Sequence, residues 1–345
     1  MSPAVVDYLG FLARIATGLV ALAFVVGIIA SSRKGDRPKK GEGQLKVRLL
    51  NDFYRKLHRA VEKVLLSKAE LKALRKSEEK AEKKVAKDGL SSTNRPKVFV
   101  IDFKGDIRAS GVESLRHEVT ALLGHARKDV DEVVVRLESP GGTVDGYGLA
   151  ASQLTRIREA GIQMTITIDN VAASGGYMMA CIGNKVLSAP FAVTGSIGVV
   201  SGIPNVNRLL KKHDIDYEVV TAGQYKRTLT TFGENTEEGR EKYKAELEAI
   251  HVLFKGFVSQ YRPSLDIDAV ATGEAWFGAD ALQRGLVDEI QTSDEYLQGK
   301  VDSSDLIHLS YEIRKKGGFK ERIGLTLAGV AETALARLFD RRVGM

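Results

Sequence analysis

Cysteine and histidine are scarce in this chain, and their scarcity removes several chemistries at once. One cysteine, Cys181, in 345 residues excludes an intrachain disulfide and cannot build a metal site alone. No Cys/His/Asp/Glu cluster has metal-ligand spacing, so no metal is expected. No Walker-type glycine-rich lysine motif occurs, which argues against ATP hydrolysis, and no cofactor is expected. No internal repeat recurs at a period of roughly 20–50 residues. No imidazole follows Ser174 until His213, which stands in a Lys-rich polar stretch and reads as a surface histidine. Cys181 itself reads as a packed core thiol; its place seven residues after Ser174 leaves a reactive thiol as the other reading.

The formal net charge of +7 is not spread evenly. Residues 33–97 hold 21 Lys and Arg against 9 Asp and Glu, a surplus of twelve, so the remainder of the chain is slightly acidic. A basic nucleic-acid-binding face over the main domain is therefore not expected.

Long apolar runs are also rare, with one exception. Tyr8 to Ala30 is nearly all apolar, broken by Arg14. As a helix, 23 residues span about 34 Å, enough for a hydrocarbon core of about 30 Å. Arg14 lies two turns from the outer end, where it can snorkel to the interface. The start has no Lys/Arg cluster, and Ile28-Ile29-Ala30 makes a poor cleavage site, so a retained anchor is expected in place of a cleaved signal peptide. Arg33, Lys34, Arg37, Lys39 and Lys40 follow, and by the positive-inside rule they favour a cytoplasmic catalytic domain. Val171 to Val206 is apolar too, but Lys185, Pro190 and its small residues argue against a second span.

Four regions are expected: an anchor over 1–32, a basic helical segment or linker over 33–96, a main domain over 97–295, and a C-terminal strand and amphipathic helix over 296–345. From Gln44 to about Asp88 the spacing of Leu50, Phe53, Leu57, Val61 and Val64 predicts helix. Gly89 to Asn94 reads as a hinge. Val98–Phe103, Glu132–Leu137 and Gln163–Ile168 read as strands, with helices over Val112–Ala126, Gly146–Glu159 and Glu237–Val258. Strands alternating with helices indicate an α/β domain. Phe319 to Arg342 has the apolar spacing of an amphipathic helix, packed on a neighbour or lying at a membrane interface.

Two strand ends carry glycine turns. Glu132–Leu137 runs into Ser139-Pro140-Gly141-Gly142, and Gln163–Ile168 is followed by Ala172-Ala173-Ser174-Gly175-Gly176-Tyr177. Gly141 and Gly142 permit close backbone approach, and their amides could donate to a negative oxygen; an ordinary turn is the plainer reading. Ser174, at a helix start, suits an exposed nucleophile as well as a helix cap. A serine hydroxyl needs a base. Lys226, 52 residues later in Gly223-Gln224-Tyr225-Lys226, is a candidate, or else a surface lysine. An ammonium in water holds its proton to about pH 10.4, so a lysine base must be desolvated; lowering the value by about three units costs roughly 4 kcal/mol. Neighbouring Arg227 cannot substitute, because guanidinium does not deprotonate in proteins.

These motifs, together with Thr194-Gly195-Ser196-Ile197-Gly198-Val199 and Gly285-Leu286-Val287-Asp288, resemble the signal peptide peptidase A family, and within it the short, membrane-anchored SohB-type branch. The resemblance covers about Lys97 to Asp288. It implies a Clp protease/crotonase-like spiral of ββα units. It implies Ser174 as nucleophile, Lys226 as general base and then acid, and Ser196 as the group orienting the lysine. Gly141, with Gly142, and Gly175 would form the oxyanion hole. It further implies a serine endopeptidase working through an acyl-enzyme on peptide substrates such as signal peptide remnants or unfolded, membrane-derived segments. Subunits would form a ring-shaped homo-oligomer, an octamer by resemblance, with the lysine able to serve the adjacent subunit's serine. The implied location is the inner (plasma) membrane, lipid being met by the N-terminal helix. Its relatives face outward, against the charge rule. A crotonase-type acyl-CoA enzyme and a vestigial membrane scaffold are the rival readings.

Overall fold

The computed structural model describes residues 43–87 and 95–313. The predicted span over Tyr8–Ala30, the hinge at Gly89–Asn94 and the helix over Phe319–Arg342 lie outside them. Among the described residues no helix is long and apolar enough to cross a membrane.

The first element departs from expectation: Gln44–Leu49 is a strand, β1. Its polar and apolar residues alternate, the period-2 pattern of a strand, which the helical spacing downstream had masked. The helical run then follows as α1 (Leu50–Leu65) and α2 (Lys68–Lys87). At the start of α1 the buried Asn51 side chain donates to Val301 O and Ser304 O at 2.8 and 2.9 Å and accepts the Leu306 N–H at 2.7 Å, pinning the helix to a distant part of the chain.

The main domain opens with the predicted alternation: β2 (Lys97–Lys104), α3 (Val112–Leu123), β3 (Glu132–Glu138), α4 (Val144–Glu159) and β4 (Gln163–Ile168). The apolar stretch after it is cut into β5 (Val171–Ala173), α5 (Gly175–Ala180), β6 (Lys185–Ser188) and β7 (Val193–Gly195). Beyond it come α6 (Asn207–Lys212), the long α7 (Glu237–Tyr261), α8 (Ile267–Val270), β8 (Ala275–Phe277), α9 (Gly278–Gln283), β9 (Glu289–Ile290), α10 (Ser293–Gln298) and β10 (Asp305–Glu312).

The strands form a seven-stranded sheet in the order β1-β10-β2-β3-β4-β6-β9 and a three-stranded sheet in the order β5-β7-β8. From β10 through to β9 every pairing in the large sheet is parallel. Parallel strands need both faces covered, and their residues divide accordingly. Phe99, Ile101, Val133 and Val135 face the main core with residues of α3, α4, α5 and α7. Val98, Val100 and Val134 face a second cluster with Leu297 and Leu306, on which Leu50 and Tyr54 of α1 pack.

One tie holds α5 to the Gly285–Asp288 segment, and a second holds the end of α7 to it. The buried Tyr177 hydroxyl donates to Leu286 O at 2.8 Å. Arg262, after α7, forks onto both Asp288 carboxylate oxygens at 2.8 and 2.7 Å and also donates to Gly285 O. Burial opposes ionisation of Asp288, but the Arg262 bonds and the Val186 N–H outweigh it and hold the carboxyl below its ordinary range. The Gly285–Asp288 motif is thus a structural clasp.

Candidate active site

The end of β3 is drawn onto β5. The Ser139 N–H donates to Val171 O at 2.8 Å and Ser139 O accepts the Ala173 N–H at 3.0 Å, a single parallel bridge outside the main ladder. This brings the Pro140-Gly141-Gly142 turn against Ser174. Gly141 has φ +91°, and a Cβ there would lie 2.7 Å from Ala173 O and 2.8 Å from the Gly175 nitrogen, so no larger residue fits. The Ser139 hydroxyl, bonded to the Tyr147 hydroxyl, accepts the Gly141 N–H at 3.1 Å.

Ser174 stands at the junction of β5 and α5 with φ +51° and ψ −118°, a backbone state rare outside glycine. Such a conformation costs on the order of 1–3 kcal/mol and persists only where the surroundings impose it. Its N–H is held by Gly195 O at 2.8 Å and its carbonyl by the Met178 N–H at 2.9 Å. The side chain makes no capping bond to α5, so the helix-cap reading falls away. Gly175 starts α5 with a Cβ-less face against the Tyr147 ring. Among the described residues, neither the Gly142 N–H nor the Gly175 N–H has a hydrogen-bond partner.

These residues meet at one cavity of about 940 Å³, lined by Gly141, Gly142, Ser174, Gly175 and Ser196. Ser196, after β7, has φ +51° like Ser174, and its N–H donates to Glu274 O at 2.6 Å. The remaining wall is largely apolar and includes Val144, Met178, and Phe254 and Phe257 of α7.

Lys226 is not brought to this cavity. It lies on an exposed turn between α6 and α7, where its N–H donates to Gly223 O at 3.2 Å, and Arg227 beside it is exposed too. The apolar shell that a lysine base needs is not supplied around it by this chain. His213, just after α6, is exposed and lines no part of the cavity. Cys181 is buried, its thiol donates to Met178 O at 3.3 Å, and burial pushes it up to about 12, so it is a core thiol.

One cavity residue escaped the sequence reading. His251 of α7 lies on the same helix face as Leu247, Ile250 and Phe254, and a polar residue within that apolar stripe was the available signal.

A mixed α/β fold with a strained serine beside two unpaired amides at a cavity is the equipment of a hydrolytic enzyme. Residues 3–154 match the peptidase family S49 N-terminal model and residues 156–306 match the peptidase family S49 model. A "Probable protease SohB" of Haemophilus influenzae is 49% identical over 314 residues, 88% of each chain. A second, from Buchnera aphidicola subsp. Acyrthosiphon pisum, is 47% identical over 310 residues, 90% of each chain. "Protease 4" of Haemophilus influenzae is more distant, 27% identical over 216 residues, covering 60% of this chain and 35% of that one. The chain belongs to peptidase family S49.

Proposed function

We propose that this protein is a membrane-anchored serine endopeptidase in which Ser174 is the nucleophile and Lys226 of a neighbouring copy is the base. The observation that carries the reading is Ser174 held at φ +51° on the rim of the cavity, beside the free N–H groups of Gly142 and Gly175. As Ser174 Oγ attacks a peptide carbonyl, its proton passes to the lysine amine, and the carbonyl oxygen becomes an oxyanion. The two amides receive that charge without reorganising. The protonated lysine then gives its proton to the leaving amine, and water releases the acyl group from Ser174 by the reverse route. Because the Gly141 N–H is already taken by Ser139, its part is to shape the turn that presents Gly142. Ser196 orients the incoming lysine from the cavity wall.

A shared site is supported by where the apolar surface lies. Between Val200 and Phe232 the chain exposes several large apolar residues, with Val200 at 94% and Val220 at 93%, and Lys226 stands among them. A sister subunit in a ring would cover them and desolvate the lysine together. The parallel main sheet with its small second sheet supports the Clp/crotonase-like spiral. The apolar run Tyr8–Ala30 supports an inner-membrane anchor, and the apolar cavity wall supports peptides with small or apolar residues at the cleaved bond, such as signal peptide remnants.

Mixing Ser174→Ala protein with Lys226→Ala protein tests the reading. Restored peptide hydrolysis is expected, since mixed rings pair an intact serine with an intact lysine. Silence after confirmed subunit exchange would overturn the shared site.

A further inference from the structure

Among the polar residues that line the cavity and have no task in the reaction above, His251 stands out for an unpaired buried atom. His251 Nε2 is buried, and among the described residues it has no hydrogen-bond partner. It sits in the wall formed by α7, between Ile250 and the Leu253–Phe254 pair, with Val199 also lining the cavity. A buried ring nitrogen left unpaired costs on the order of 1–3 kcal/mol, which favours an occupant able to bond it. The other such atom, Thr194 Oγ1, belongs to a residue of the small sheet that does not line the cavity.

We propose that His251 anchors the bound peptide: Nε2 hydrogen-bonds a backbone group of the substrate while an apolar substrate side chain packs against Met178, Leu253 and Phe257. The inference rests on the peptidase reading and adds a substrate-binding residue to it. An imidazole suits the task in either neutral tautomer, donating to a peptide carbonyl or accepting from a peptide N–H. A backbone contact gives no preference among side chains, so sequence preference stays with the apolar wall. His251 therefore sets affinity for extended peptide as a class.

The test uses the full-length protein in detergent and one internally quenched peptide with Leu-Ala at its centre. His251→Phe keeps the ring volume and removes the hydrogen bond. It is expected to raise KM about tenfold, the size of one neutral hydrogen bond, with kcat within about twofold. His251→Asn and His251→Gln, which keep a polar tip, should recover most of the loss and stand in if the phenylalanine variant misfolds. Anisotropy of a labelled copy of the peptide on Ser174→Ala protein, with and without His251→Phe, should show the same loss without catalysis. Unchanged KM and binding in His251→Phe would overturn the proposal, as would a fall in kcat at constant KM. Absence of peptide binding to the Ser174→Ala protein would overturn it too. Peptide that binds through His251 but is never cleaved by the unaltered protein would instead sink the peptidase reading and leave the anchor standing.

Discussion

The two halves of the proposed catalytic pair stand in opposite kinds of structure. Ser174 is held by bonds on every side: its backbone by Gly195 and Met178, its turn by the Ser139 bridge, its helix by the Tyr177 hydroxyl. Lys226 stands on an exposed turn within a stretch that is exposed over most of its length. The serine half is built by the chain itself, whereas the lysine half awaits a surface the chain does not provide. On the proposed reading, a single subunit is silent and activity comes with assembly.

The largest effect that tests this division is on activity. Ser174→Ala and Lys226→Ala should each lower kcat/KM on the order of 10⁴-fold or more, with circular dichroism and thermal unfolding unchanged. A Lys226→Ala protein retaining full activity would end the pairing. Next in size is the clasp behind Ser174. Arg262→Met leaves the Asp288 carboxylate without its fork and should lower unfolding stability by about 3 kcal/mol in a urea titration. Lys226→Ala should leave that stability untouched. The exposed half should be the more easily cut: dilution to single subunits is expected to speed tryptic cleavage after Lys226 and Arg227 about tenfold, leaving Glu132–Gly195 intact. Equal rates at all dilutions would mean that no neighbour covers the turn.

The smallest effect lies in the built half, where pH acts on a buried carboxyl. Burial pushes Glu118 of α3 up to about 7, against the help of the Tyr311 N–H that it accepts at 2.7 Å. A carboxyl raised in the folded state stabilises that state at low pH and loses the contribution as pH rises through about 7. Glu118→Gln keeps an acceptor for Tyr311 and should abolish most of the stability lost between about pH 4.5 and 7. Parallel pH curves for the two proteins would show that Glu118 ionises as it does in water.

Much of the framework was legible in the sequence because its signals are periodic and local. β2, β3 and β4 are apolar runs closed by turns, and the helices between them carry 3.6-residue spacing. The glycine turns placed Gly141, Gly142, Ser174 and Gly175 as candidates, the family resemblance added Ser196, and all five line one cavity. β1 was hidden by the longer helical pattern after it. β5, β7 and β8 have three residues each, too few to show a period, and it is the bridge from Ser139 to β5 that sets Ser174 against the glycine turn. The exposure of Lys226 was illegible because a motif names a residue without saying which surface covers it. His251 was missed because a helix stripe is read for its apolar members, and the exception among them carried the information.

The bond from the Tyr177 hydroxyl to Leu286 O joins residues 109 apart in the chain. During synthesis, the residues around Ser174 emerge long before the segment that closes the back of its helix. A chain still on the ribosome thus carries the serine before the residue that ties down its helix has been made. Truncations ending ahead of Leu286 should leave Ser174 inert to a fluorophosphonate that labels the complete protein. Labelling of such a fragment would show that the nucleophile is set before its support arrives.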